Sequence, residues 1–210
     1  MPDSKFNFLS LNTMYQNRYL SRLILSIIGA ILLFLLPGCS FRSQKSQEEI
    51  TLNKPLVLTT FTVLADMARN VAGERLIVKS ITKLGAEIHG YQPTPSDIRK
   101  ASKANLIIEN GFGLERWARK FTANAGNIPT VVLSEGMKPL LISGDSYEGE
   151  PNPHAWMSPK RSMQYVDKLV LAFSELDPEG EKIYLQNGKL YKQKLLALDQ
   201  ELRKALSKIP

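Results

Sequence analysis

The chain has 210 residues, 43% of them hydrophobic and 22% charged, with a formal net charge of +7. That composition excludes a disordered or low-complexity chain and fits a globular protein of one or two domains. Its basic residues are interleaved with acids, as in Lys182, Lys189, Lys192 and Lys194 beside Glu179, Glu181 and Asp199; no basic block alternates with aromatics, so the charge reads as a solvated helical face, with no nucleic-acid partner.

Residues 23–36 form one apolar run that follows Arg18 and Arg22 and leads into Pro37-Gly-Cys39. The run is shorter than the ~20 residues of a spanning helix, and its basic flank and small-residue exit are those of a secretory signal. The placement of Cys39 resembles the lipobox of bacterial lipoproteins, in which the cysteine becomes the lipidated first residue; Pro37 is an unusual occupant there. Cys39 is the single cysteine, which rules out an intrachain disulfide, and lipidation would remove a free thiol. An uncleaved signal anchor and a plain secretory signal with an incidental cysteine are the competing readings. The expectation is a signal peptide over residues 1–38, with Met14 as an alternative start, and a polar tether over 39–54.

Beyond the tether, about 160 residues remain, enough for one α/β domain that buries roughly 70% of its unfolded surface. Leu56–Phe61 is a β-branched apolar run and predicts a buried strand. Thr62 is placed to cap a helix over Val63–Val71, which Gly73 ends. Leu76–Ile81 is the second strand, and Ser96 is read as the cap of a short helix through Ala104. Asn105–Glu109 is the third strand, Leu114–Ala123 a helix with Trp117 and Phe121 on one face, and Thr130–Leu133 the fourth strand. Alternating strands and helices of these lengths predict a parallel sheet flanked by helices. Met163, Val166, Val170 and Phe173 form an apolar helical stripe after Ser158. Asp177-Pro178 ends that helix, and Leu195, Leu198, Leu202 and Leu206 continue at helical spacing to the chain end. The domain boundaries read as an α/β lobe over 55–176 and a long helix over 177–210.

Only two histidines occur, in Gly85-Ala-Glu-Ile-His89-Gly-Tyr-Gln-Pro-Thr-Pro-Ser-Asp97 and Pro151-Asn-Pro-His154-Ala-Trp-Met-Ser-Pro159. Neutral imidazole is the commonest protein ligand of divalent transition metals. Flanking prolines stiffen both segments, and the His89 loop follows the second strand, where ligands of parallel sheets bind. A pair of hydrogen-bonded loop histidines with no ligand role is the bland alternative. These two motifs, with Asn110-Gly-Phe-Gly-Leu-Glu-Arg-Trp117 between them, resemble the metal-binding lipoproteins of manganese, iron and zinc ABC importers, an adhesin-like family. The resemblance runs from about Pro55 to the chain end.

The resemblance implies one lobe of a two-lobe periplasmic metal-binding fold, with His89 and His154 as metal ligands and the 177–210 segment as the linker helix. It implies an exported, lipid-anchored substrate-binding component whose transported ligand is a divalent metal and whose partners are a membrane permease and an ATPase. Family members draw further ligands from a second lobe, and no acid after His154 falls near either loop. The expectation is therefore half a site: a truncated form lacking the C-terminal lobe, or one completed by a separate polypeptide. Zinc-importing relatives carry a His-rich loop before the second motif; Lys138–Pro153 has no histidine, which favours manganese or iron with zinc still open.

Two other functional classes compete. A surface adhesion lipoprotein would need no metal. A metal-dependent hydrolase would need a carboxylate beside the histidines, with Glu87 or Asp145 as candidates, although no His-Glu-x-x-His motif exists. The Gly-x-Ser-x-Gly elbow and the phosphate-binding P-loop are absent too. Gly111-Phe-Gly113 reads as a turn out of the third strand, and Tyr91, Trp117 and Trp156 read as core or loop packing.

Overall fold

The computed structural model describes residues 54–207 and 209, apart from 145. The signal segment, Cys39 and almost all of the tether, with Asp145, lie outside the described residues. The described chain runs β1 (Leu56–Thr59), α1 (Thr62–Ala72), β2 (Ile77–Ser80), α2 (Pro95–Ala101), β3 (Leu106–Glu109), α3 (Ala118–Ala125), β4 (Thr130–Val132), α4 (Pro159–Leu176) and α5 (Glu181–Leu206). Single 3-10 turns precede α4 at Ala155–Met157 and α5 at Pro178–Gly180.

The four strands form one parallel sheet in the order β2-β1-β3-β4. Helices cover both faces, which is why the central strands β1 and β3 are buried, mostly apolar runs with no polar alternation. Val57, Leu106 and Ile108 join α1, α4 and Tyr184 of α5 in the larger core. Leu58 and Ile107 point the other way, against Ala101, Ala104 and Phe121. Each fully buried Leu or Ile contributes about 1.5–3 kcal/mol, so the two clusters hold the sheet rigid beneath its loops. The chain steps from β1 outward to β2 and then crosses to β3 on the other side of β1. That reversal opens a crevice at the carboxyl ends of β1 and β3, the usual ligand position in such sheets.

Several element boundaries differ from those read in the sequence. Phe61, not Thr62, stands at the cap of α1. Helix α2 is capped by Thr94 and not by Ser96: the Thr94 side chain accepts from the Asp97 N–H, and the Asp97 carboxylate accepts from the Thr94 N–H at 2.9 Å. This reciprocal capping box, with Pro95 at the first helical position, outcompetes a lone serine. Helix α3 starts at Ala118, not Leu114, because Gly111, Phe112 and Gly113 take φ of 87°, 52° and 78°. Three successive left-handed residues turn the chain back before any helix can form.

The root of α5 is fixed to the lobe. Arg75 donates two hydrogen bonds to Asp177, at 2.9 and 2.6 Å, and the Tyr184 hydroxyl donates to the same carboxylate. Helices α4 and α5 approach closely at Gly188, where a Cβ would overlap Val170 Cγ2. Past Leu195 the face opens: Leu196, Leu198, Leu202 and Leu206 are all exposed. Among the described residues no helix is long and apolar enough to cross a membrane.

Candidate metal centre

Each histidine sits on a loop that leaves the carboxyl end of a strand, His89 between β2 and α2 and His154 between β4 and α4. The fold brings the two together with their Nε2 atoms 3.1 Å apart and their rings tilted by 51°.

The residue two positions before each histidine dictates which ring nitrogen is available. Glu87 Oε1 accepts from the His89 backbone N–H at 2.9 Å and lies 2.6 Å from His89 Nδ1. Asn152 Oδ1 accepts from the His154 backbone N–H at 3.0 Å and lies 2.9 Å from His154 Nδ1. A backbone N–H can only donate, so in both loops the facing atom is an acceptor oxygen. That fixes the Asn152 amide orientation and requires a proton on each Nδ1. Neutral rings in these positions therefore turn two Nε2 lone pairs toward each other, an arrangement that calls for a cation. A metal with nitrogen bonds of about 2.0–2.1 Å separates two ligands by roughly 2.9 Å at a right angle and roughly 3.3–3.4 Å at the tetrahedral angle. The observed spacing falls between these limits.

Both loops are pinned by the segment after β3. The Trp117 indole N–H donates to the Ile88 carbonyl at 3.1 Å, just before His89. The Asn110 amide donates to the Pro153 carbonyl at 2.9 Å, just before His154. Asn110 is itself held: its Oδ1 accepts from the buried Tyr165 hydroxyl at 2.6 Å, and its N–H donates to Glu115 Oε1 at 2.7 Å. Glu115 also accepts from Thr60 at 2.7 Å and from the Gly111 N–H at 3.1 Å. This polar network lies at the ends of β1 and β3, and the three-residue left-handed turn is what folds Glu115 back into it. The aromatics pack as loop supports, Trp117 against Tyr91 and Phe121, and Trp156 between Phe61 and His154.

The electrostatics favour a neutral His154: burial lowers its pKa, and the neighbouring His89 lowers it further. Bonds from the His89 backbone and ring hold the Glu87 carboxyl below the usual range. Burial raises Glu115, against the hydrogen bonds it accepts. Burial and the Glu115 charge push Glu109 up to about 7.

Glu87, the carboxylate weighed for a hydrolase, faces His89 Nδ1 and is spent on orienting the ring. A depression of about 260 Å³ beside His154 is lined by Leu140, Met157 and Arg161 among others and holds no acid. Among the described residues no third His, Cys, Asp or Glu joins the pair as a metal ligand. Sequence reading missed the roles of Glu87, Asn152, Asn110 and Trp117. A usable signal existed for the first two, since each histidine follows an acceptor side chain at the same two-residue spacing.

Residues 57–210 match the model of the ZnuA family, described as zinc-uptake complex component A, periplasmic. The chain is 48% identical over 160 residues to the iron-binding protein YfeA of Yersinia pestis, covering 76% of this chain and 51% of that protein. It is 32% identical over 194 residues to the manganese ABC transporter substrate-binding lipoprotein PsaA of Streptococcus pneumoniae, covering 89% and 61%. A manganese-bound periplasmic metal binding protein from Candidatus Liberibacter asiaticus superposes with a TM-score of 0.68 at 32% identity, over 75% of this chain and 59% of that one. The chain thus spans about half to three-fifths of the length of these relatives. The family consists of substrate-binding transporter components and not of enzymes, which removes the hydrolase reading. By the extent of the match and by its parallel sheet, flanking helices and long final helix, the chain belongs to the ZnuA family of periplasmic metal-binding components.

Proposed function

We propose that this chain is the substrate-binding component of an ABC importer for a divalent metal, with His89 and His154 as the ligands of its first lobe. The observation that carries the reading is the pair of Nε2 atoms 3.1 Å apart, each on a ring whose Nδ1 is committed to an oxygen acceptor. The metal is cargo, and the residues present suit it: two imidazoles provide a bidentate grip that leaves the other coordination positions to water or to further ligands. A second lobe, on a longer form of this chain or on a separate polypeptide, supplies those ligands, and α5 is the linker to it.

Manganese or iron is the favoured cargo, because the chain offers no imidazole-rich loop to bias the site toward zinc. A permease and an ATPase complete the importer. Cys39 carries the lipid, and the lobe works on the outer face of the cell membrane or in the periplasm.

Thermal unfolding of the full-length chain in detergent, with and without manganese or zinc, tests the reading. A ligand that binds only the folded state raises Tm. The wild type is expected to gain stability, and His89→Ala and His154→Ala each to lose that gain. Equal gains in all three proteins would exclude the pair as ligands and leave the adhesion reading, which needs no metal.

A further inference from the structure

The two imidazoles are held by the same geometry and by different chemistry. In both loops an acceptor two residues upstream takes the backbone N–H and the Nδ1–H of its histidine. For His89 the acceptor is the carboxylate of Glu87, 2.6 Å from Nδ1; for His154 it is the neutral amide of Asn152, 2.9 Å away. When Nε2 donates its lone pair to a cation, positive charge spreads over the ring and the Nδ1–H becomes more acidic. A carboxylate on that hydrogen stabilises the charge and makes the ring the stronger donor; an amide does so much less. Glu87 has no other side-chain partner among the described residues, and its Oε1 meets His89 at Nδ1 and the backbone N–H and not at Nε2.

We propose that Glu87 is a positioning residue that sets the tautomer and donor strength of His89, so that the two imidazoles form an unequal pair in which His89 holds the metal more strongly than His154. This rests on the reading of the pair as metal ligands and adds an affinity-setting residue that is not itself a ligand. The Glu87 side chain is 75% exposed and that of His89 53%. Solvent therefore screens the interaction, which places the effect at the lower end of the ten- to hundredfold range typical of such outer partners.

The test uses the full-length chain in detergent at one fixed pH above the imidazole range, titrated with manganese and with zinc against a chromophoric chelator. Glu87→Gln keeps the acceptor oxygen and removes the charge; it is expected to weaken binding by about tenfold. Asn152→Asp adds the charge to the other ring and is expected to tighten binding by several-fold, and the double variant to return toward wild type. Long-range proton–nitrogen NMR of the metal-free imidazoles supplies a readout that lost packing would not mimic. His89 should carry its proton on Nδ1 in the wild type and in Glu87→Gln, and should become a mixture of tautomers in Glu87→Ala. Wild-type affinity in Glu87→Gln together with lost binding in His89→Ala would overturn the role of Glu87 and leave the metal site standing. Unchanged binding in His89→Ala would overturn both.

Discussion

The two histidine loops reach the same point by different means. The His154 loop is tied into the interior: its anchor Asn110 is fully buried, and so is the Tyr165 that braces it. The His89 loop is tied at the surface, by a half-buried indole and an exposed carboxylate, and Leu84 near its start is 90% exposed. One imidazole is therefore positioned by the core and the other by a surface loop. A buried polar network that is fully satisfied is rigid and costly to disturb; an exposed bond can break and reform cheaply. The difference gives the proposed site one firmly held imidazole and one held more loosely.

The largest way to break this contrast is Gly111→Ala. Gly111 has φ of 87°, and a Cβ there would overlap Ser134 Oγ and Val132 Cγ1. A cost of about 3 kcal/mol or more is expected, read from denaturant unfolding, with the His154 side of the site lost first. Next is Asn110→Ala, which leaves the Tyr165 hydroxyl and the Pro153 carbonyl without their partner. About 2–3 kcal/mol is expected, and in NMR the His154 ring should lose its single environment while His89 keeps its own.

Glu109 offers a pH test of the same buried region. Its folded pKa is raised to about 7 by burial and by the Glu115 charge, against an unfolded value of about 4.3. In the window between these values the folded state holds the extra proton, so stability is fully present below about 4.3 and is lost as pH rises through about 7. Glu109→Gln is expected to stabilise the chain by roughly 1–2 kcal/mol above that window and to flatten the slope within it. Equal slopes in both proteins would show that Glu109 ionises freely. The smallest effect is expected for Trp117→Phe, which keeps one aromatic ring between Tyr91 and Phe121 and removes the pyrrole part of the indole with its N–H to Ile88. About 1 kcal/mol or less of stability is lost, and faster hydrogen exchange should be confined to the His89 loop.

Much of the fold was legible in the sequence because buried parallel strands and amphipathic helices write strong periodic patterns. The strands after Pro55, the apolar stripe of the helix that follows Ser158 and the Leu stripe of α5 all follow from such patterns. The misplaced start of α3 was not legible, because the left-handed Phe112 obeys no propensity and belongs to a turn that is closed only by a contact across it, the Glu115 carboxylate accepting from the Asn110 and Gly111 N–H groups. The histidines were legible as candidates through their motifs. Their anchors were not, since Asn110 and Trp117 lie far from them in sequence and meet them only through the order of strands in the sheet.

In the function proposed for this chain, His89 and His154 grip one metal ion together. X-ray absorption of the full-length chain loaded with one equivalent of manganese, and again of zinc, counts the imidazoles directly through their multiple-scattering signal. Two imidazoles in the wild type and one in either His89→Ala or His154→Ala are expected. A wild-type spectrum with one imidazole or none would contradict the account.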